Sequence, residues 1–161
     1  MQFSGILKKM PLHLKYLVTA FLLVLSFGYF TGIRFVDHTT EQTPVGIEEN
    51  YLGNESDENA VEMKFKKSKQ EILNIVHTHI LSMSLIFLLT GFLVALTNLK
   101  PWLKKLLMIE PFVSILATFG GIYLLWSGML WMKYIIMISG ILMTLAFAIS
   151  VISVLISTWR K

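Results

Sequence analysis

The sequence has no cysteine. That excludes disulfides, thiolate-held iron–sulfur clusters, covalent haem attachment through C-x-x-C-H and a lipid-modified cysteine. It also has no G-x-x-x-x-G-K-[ST] phosphate loop, no ordered nucleophile, base and acid, and no paired-carboxylate signature, so no enzyme class is indicated. Acidic residues are missing from most of the chain: eight of the ten lie between Asp37 and Glu62, and the other two are Glu71 and Glu110. The net charge of +4 does not point to nucleic acid, because the basic residues sit in several short flanks instead of one stripe.

What is present is apolar. With 161 residues, 55% of them hydrophobic, and a mean hydropathy of +0.66, the chain carries more apolar surface than one small soluble core can bury. Four windows carry no Asp, Glu, Lys or Arg: 16–33, 72–99, 112–132 and 134–159. Each is about the 18 residues or more that a helix needs to cross hydrocarbon, and none shows the alternation of a barrel strand. The expected fold is therefore all-α, a four-helix transmembrane bundle in one integral membrane domain over 1–161. Its helices are expected near 15–35, 72–98, 110–130 and 134–158, with an acidic extracytoplasmic loop at about 37–68 between helices 1 and 2.

The basic residues suggest an orientation. Lys8, Lys9, Lys15, Lys100, Lys104, Lys105, Arg160 and Lys161 fall on one side, the acidic loop on the other. The positive-inside rule then places both termini in the cytoplasm of a bacterial inner membrane, against the opposing cluster Lys64, Lys66, Lys67 and Lys69. The first apolar run is too long for a usual signal peptide and no clean A-x-A site follows it, so it is read as a retained helix. Gly28 and Gly32 form a small-x-x-x-small pair. Ser114, Gly121 and Gly128 on helix 3, and Gly140, Thr144 and Ala148 on helix 4, read as smooth stripes for close packing. Pro111 and Glu110 are read as the start of helix 3, the proline in its first turn and the carboxylate at its positive end. Ser150, Ser153 and Ser157 are expected to return hydrogen bonds to their own helix. Trp126, Trp131 and Tyr134 read as anchors at one interface, and Trp102 and Trp159 at the other.

The acidic loop has few apolar residues and reads mainly as solvated. The rival reading is an ordered cap, with Val45, Ile47, Tyr51 and Leu52 dipping toward the membrane. Asn54-Glu55-Ser56 matches a glycosylation sequon that carries little weight alone.

Histidine is the best candidate for chemistry. His77 and His79 open helix 2, and His38 is expected just past the end of helix 1 on the same face, so three imidazoles would collect at one depth. Imidazoles ligate haem, zinc and copper, and Met83, one turn beyond His79, would add a thioether suited to copper. At about 100° per residue His77 and His79 point nearly opposite ways, so a shared ligand would need a locally unwound helix. Glu71, Asn74 or a loop carboxylate could orient a ring.

The blocks G46-I-E-E-N-Y-L-G-N-E55 and E71-I-L-N-I-V-H-T-H-I-L-S-M-S84 resemble a family of small four-span bacterial membrane proteins of Bacteroidetes-like genomes, over roughly residues 45–130. The resemblance implies the topology and the prominence of H-x-H, and no activity. The leading expectation is an inner-membrane accessory protein, more a binding protein than an enzyme. His38, His77 and His79 would hold haem b, or with Met83 a copper or zinc ion, beside a respiratory assembly. The alternative is a non-catalytic structural or interaction subunit, and a small transporter comes third. Expected partners are the lipid bilayer and a membrane-protein complex or a second copy, with no nucleic acid.

Overall fold

The computed structural model describes residues 5–55, 60 and 62–160. In chain order it has a single turn α1 (Ile6–Lys9), α2 (Leu12–Thr40), α3 (Pro44–Leu52), α4 (Lys69–Ala95), α5 (Pro101–Ile115), α6 (Gly121–Trp126) and α7 (Met132–Trp159). Between α5 and α6 the five residues Leu116–Gly120 form a π-helical segment. The run Pro101–Trp126 is thus one continuous span. Four helices are long and apolar enough to cross a membrane, and the described residues contain no strand. The chain is an all-helical, four-span transmembrane bundle.

The helix starts follow local chemistry. Ser68 caps α4 by accepting from the Glu71 amide, while the Glu71 carboxylate accepts from the Ser68 amide at 2.7 Å, a reciprocal capping box. Pro101 opens α5, where a missing N–H costs nothing. This corrects the expected start of helix 3. Pro111 lies inside the helix and is buried, and Glu110 is well past the first turn. α2 is also longer than expected, running to Thr40 past the Arg34–Asp37 ion pair at 3.3 Å.

The spans do not contribute equally. The core is built mainly from α4, the α5–α6 span and α7, with Phe87, Val94, Ile115, Leu125, Phe147 and Val154 buried against one another. Within the most apolar window of each span, 44% of residues are buried in Pro101–Trp126 and 39% in α7, against 6% in α2. α2 lies on the outside of the bundle. It is held by Leu22, by Tyr29 stacked on Phe147 at 4.0 Å, and by the bond from the Trp159 indole to the Thr19 hydroxyl at 2.9 Å.

The small-residue stripes are used in part. Gly121 packs closely, since a Cβ there would lie 3.0 Å from Ile136 Cγ1, but Gly28, Gly32 and Gly140 have nothing within 4 Å of that position. The stripe expected on helix 4 therefore does not close against a neighbour at Gly140, and Ala148 is exposed. None of the three helix-4 serines, Ser150, Ser153 and Ser157, makes a side-chain hydrogen bond among the described residues, against the expectation of self-returned bonds.

Over its described residues the acidic loop forms an ordered cap, against its reading as mainly solvated. Thr43 caps α3 by accepting from the Gly46 amide at 2.9 Å. Gly46 is required at that position, because a Cβ would sit 2.0 Å from the Thr40 carbonyl oxygen. Ile47 is buried, while Val45 points outward. The Glu48 carboxylate accepts from Lys133 at the start of α7. Asn54 holds the returning chain, its amide nitrogen donating to the Glu62 carbonyl at 3.0 Å and its oxygen accepting from the Lys64 amide at 2.7 Å. The Trp126 indole then donates to the Lys67 carbonyl at 2.8 Å. Trp126 is thus a tie between the cap and the bundle, in addition to any part at an interface. Ser56 of the sequon lies outside the described residues.

Candidate functional site

The bundle has a basic end, with the starts of α2 and α5 and the end of α7, and a loop end under α3. His38 is the third residue from the end of α2 and is exposed. His77 and His79 lie on α4, and His79 is ten residues beyond Lys69, roughly 15 Å along the axis at 1.5 Å per residue. Its Nδ1 is 2.8 Å from the Ile75 carbonyl, and its ring stacks on Phe119 at 4.8 Å. His77 borders a shallow groove formed by its own helix, beside Ser68, Glu71 and Asn74.

Among the described residues no three His, Asp or Glu side chains stand together in a way that could hold a metal ion. His38, His77 and His79 therefore do not form such a triad. α4 is a regular helix through H-T-H, so the unwound chelate is absent. Met83 is half-buried and packs against the core.

A different polar centre lies inside the bundle. Glu110 projects from the middle of the third span. One carboxylate oxygen, Oε1, accepts from the Ser114 hydroxyl one turn on. The other, Oε2, is buried and has no hydrogen-bond partner, the one such side-chain atom among the described residues. A polar group in hydrocarbon without a donor is costly, and an ionisable residue there is a functional candidate by default.

Several features converge near it. Pro111 removes the amide that would bond the Leu107 carbonyl. The π-helical segment follows five residues later, and such segments are frequent at functional positions. The Tyr29 hydroxyl of α2 is 3.3 Å from Thr144 Oγ1 on α7. Thr118 of the π segment and Ser139 of α7 share a buried hydroxyl contact at 2.7 Å. Polar contacts thus tie α2 to α7 and the third span to α7 at separate points in the interior. An acceptor without a donor can receive one from outside the chain, whether hydroxyl, amide or water.

The sequence reading missed Glu110 because it placed the residue at a helix start, where a carboxylate is ordinary. The signal available was Pro101, which competes with Pro111 for the first helical position and moves Glu110 into the span.

Comparison with known proteins adds a family. A family model described as a transmembrane helical domain, Aq_1264_TM, matches residues 41–161. Neither the curated proteins nor the solved structures returned a match. The matched region takes in the cap, three of the four spans and Glu110, and leaves out the whole of the peripheral helix α2. The chain belongs to the Aq_1264_TM transmembrane helical domain family.

Proposed function

We propose that this membrane protein is a non-catalytic structural or interaction subunit of a membrane assembly, with α2 as the helix that meets the partner. The observation that carries this reading is the 6% burial of the α2 apolar window, against 44% for the third span. A helix tied at Thr19, Tyr29 and its junction with α3, yet exposing Leu23, Val24, Phe27 and Phe30, presents an anchored apolar face. Gly28 and Gly32 leave open space on it, where a partner backbone can approach.

The proposed orientation keeps the basic end in the cytoplasm of a bacterial inner membrane. The opposing lysines weigh less than their number suggests. Lys64 donates to the Thr39 carbonyl at 3.3 Å, and Lys66 lies over the Trp126 ring at 5.4 Å. They serve the cap.

The reading with haem b, copper or zinc on His38, His77, His79 and Met83 rests on sequence position and draws no support from the geometry. It keeps a clear readout, a Soret band or bound metal that disappears in His77→Ala and His79→Ala. The subunit reading is tested with Gly28→Leu/Gly32→Leu, which the open space should accommodate without unfolding. Native mass spectrometry and blue native electrophoresis should show the parent chain in a larger assembly and the variant released from it. A parent chain that is monomeric in its native membrane, or an assembly unchanged in the variant, would overturn the proposal.

A further inference from the structure

At the basic end a cavity of about 400 Å³ opens between the first turn of the chain, the α4–α5 connection and the last turns of α7. Its polar lining is Lys8, Asn98, Ser153, Ser157 and Arg160, and its apolar lining is Leu99 and Ile156. The site is built by folding. The Gly5 amide donates to the Leu96 carbonyl at 3.1 Å, and Leu7 is completely buried, so α1 is pinned across the bundle end and Lys8 is held at the cavity. Ser153 and Ser157 are one helical turn apart and face the same space.

None of the five polar side chains has a hydrogen-bond or ion-pair partner among the described residues. Two of them are cations. Among the described residues no Asp or Glu lines the cavity to balance them. A concave site with two cations, two hydroxyls and an amide, all unpartnered, matches a tetrahedral oxyanion, with a guanidinium suited to bidentate contact with phosphate oxygens.

The setting identifies the source of that phosphate. Trp102 and Trp159, both exposed, mark the same end of the bundle as aromatic residues mark a membrane interface. Leu99 and Ile156 give the cavity an apolar flank. We propose that the cavity binds the phosphodiester headgroup of an anionic phospholipid, with Lys8 and Arg160 on the phosphate, Asn98, Ser153 and Ser157 as neutral donors, and the acyl chains along Leu99 and Ile156. Basic pockets between transmembrane helices are known to take such headgroups.

The test is native mass spectrometry of the detergent-purified full chain titrated with phosphatidylglycerol, phosphatidylcholine or inorganic phosphate. Retained phosphatidylglycerol is expected, with phosphatidylcholine bound much more weakly. Lys8→Gln/Arg160→Gln should weaken phosphatidylglycerol binding roughly thirtyfold, taking about a 1 kcal/mol contribution per basic residue. Lys105→Gln, at the same end but outside the cavity, should leave binding within about twofold.

Ser153→Ala/Ser157→Ala keeps every charge and should still weaken binding, which separates a headgroup seated in the cavity from diffuse attraction to a basic surface. Equal binding of both lipids, equal loss with Lys105→Gln, or no effect of the serine pair would overturn the site. Inorganic phosphate that binds without the lipid and displaces none of it would overturn the lipid assignment.

Discussion

Replacing Glu110 with methionine should make the protein more stable. Oε2 is buried without a donor, and an unsatisfied buried polar group costs about 1–3 kcal/mol. Against that gain, the substitution removes the bond from Ser114 to Oε1. Side-chain hydrogen bonds between membrane residues average about 0.6 kcal/mol, and a serine hydroxyl can turn to the carbonyl four residues back, which survives the substitution. Methionine is about as long as glutamate and adapts to irregular gaps. The balance is a gain of about 1–2 kcal/mol for Glu110→Met. Unfolding in mixed micelles of rising dodecyl sulfate content, followed by far-UV circular dichroism, measures it. Ser114→Ala with the double variant completes a cycle whose coupling should be about 0.6 kcal/mol. A methionine variant less stable than the parent by more than about 1 kcal/mol would mean that Oε2 has a donor, and the reasoning would fail. A stabilised variant that no longer joins its assembly would mark Glu110 as retained for binding at a cost in stability.

Other predictions follow from individual side chains. Burial pushes the Tyr51 phenol from 10.0 up to about 12, against the lowering effect of its Asn50 hydrogen bond. The neutral phenol is favoured in the folded cap, so its contribution is complete below pH 10.0 and is lost as pH rises toward about 12. Tyrosinate absorbance and cap proteolysis should rise together in that window in the parent, and Tyr51→Phe should lose the coupling. Gly121→Val should cost about 1–3 kcal/mol through overpacking, because even a Cβ meets Ile136 and Met132 at 3.0 and 3.2 Å; an unchanged unfolding curve would contradict that packing. In the cysteine-free background, Glu55→Cys should react with an impermeant thiol reagent in intact cells. Reaction only after lysis would reverse the proposed orientation.

The spans were legible because their length and lack of charge leave few alternatives for a chain in lipid. Their boundaries were less so. Ser68 and Glu71 have the spacing of a capping box, but apolarity alone begins the second helix at Ile72. The cap was hidden because composition counts eight acids and cannot reveal that Glu48 finds Lys133 eighty-five residues away or that Asn54 clasps the returning chain. Histidine drew attention as a rare residue type, yet only packing reveals that one face of His79 is spent on Phe119. Glu110 was visible as a letter and invisible as a site until its helix acquired the right starting point.

The π segment has a consequence for how this bundle tolerates change. A wide turn of this kind holds one residue more than the α-helix would, so it sets the rotational phase of everything between it and the loop end. Deleting a single residue from Leu116–Gly120 would return the segment to plain α-helix and leave Gly121, Leu125 and Trp126 facing as they do, whereas a deletion in the regular turns of α5 would turn them by about 100° relative to the residues before it. After a deletion of that second kind the indole would swing away from the Lys67 carbonyl, although no residue near the cap had been altered. One missing codon would therefore be absorbed at the wide turn, and would unlatch the lid at the far end when it fell in the regular turns before it.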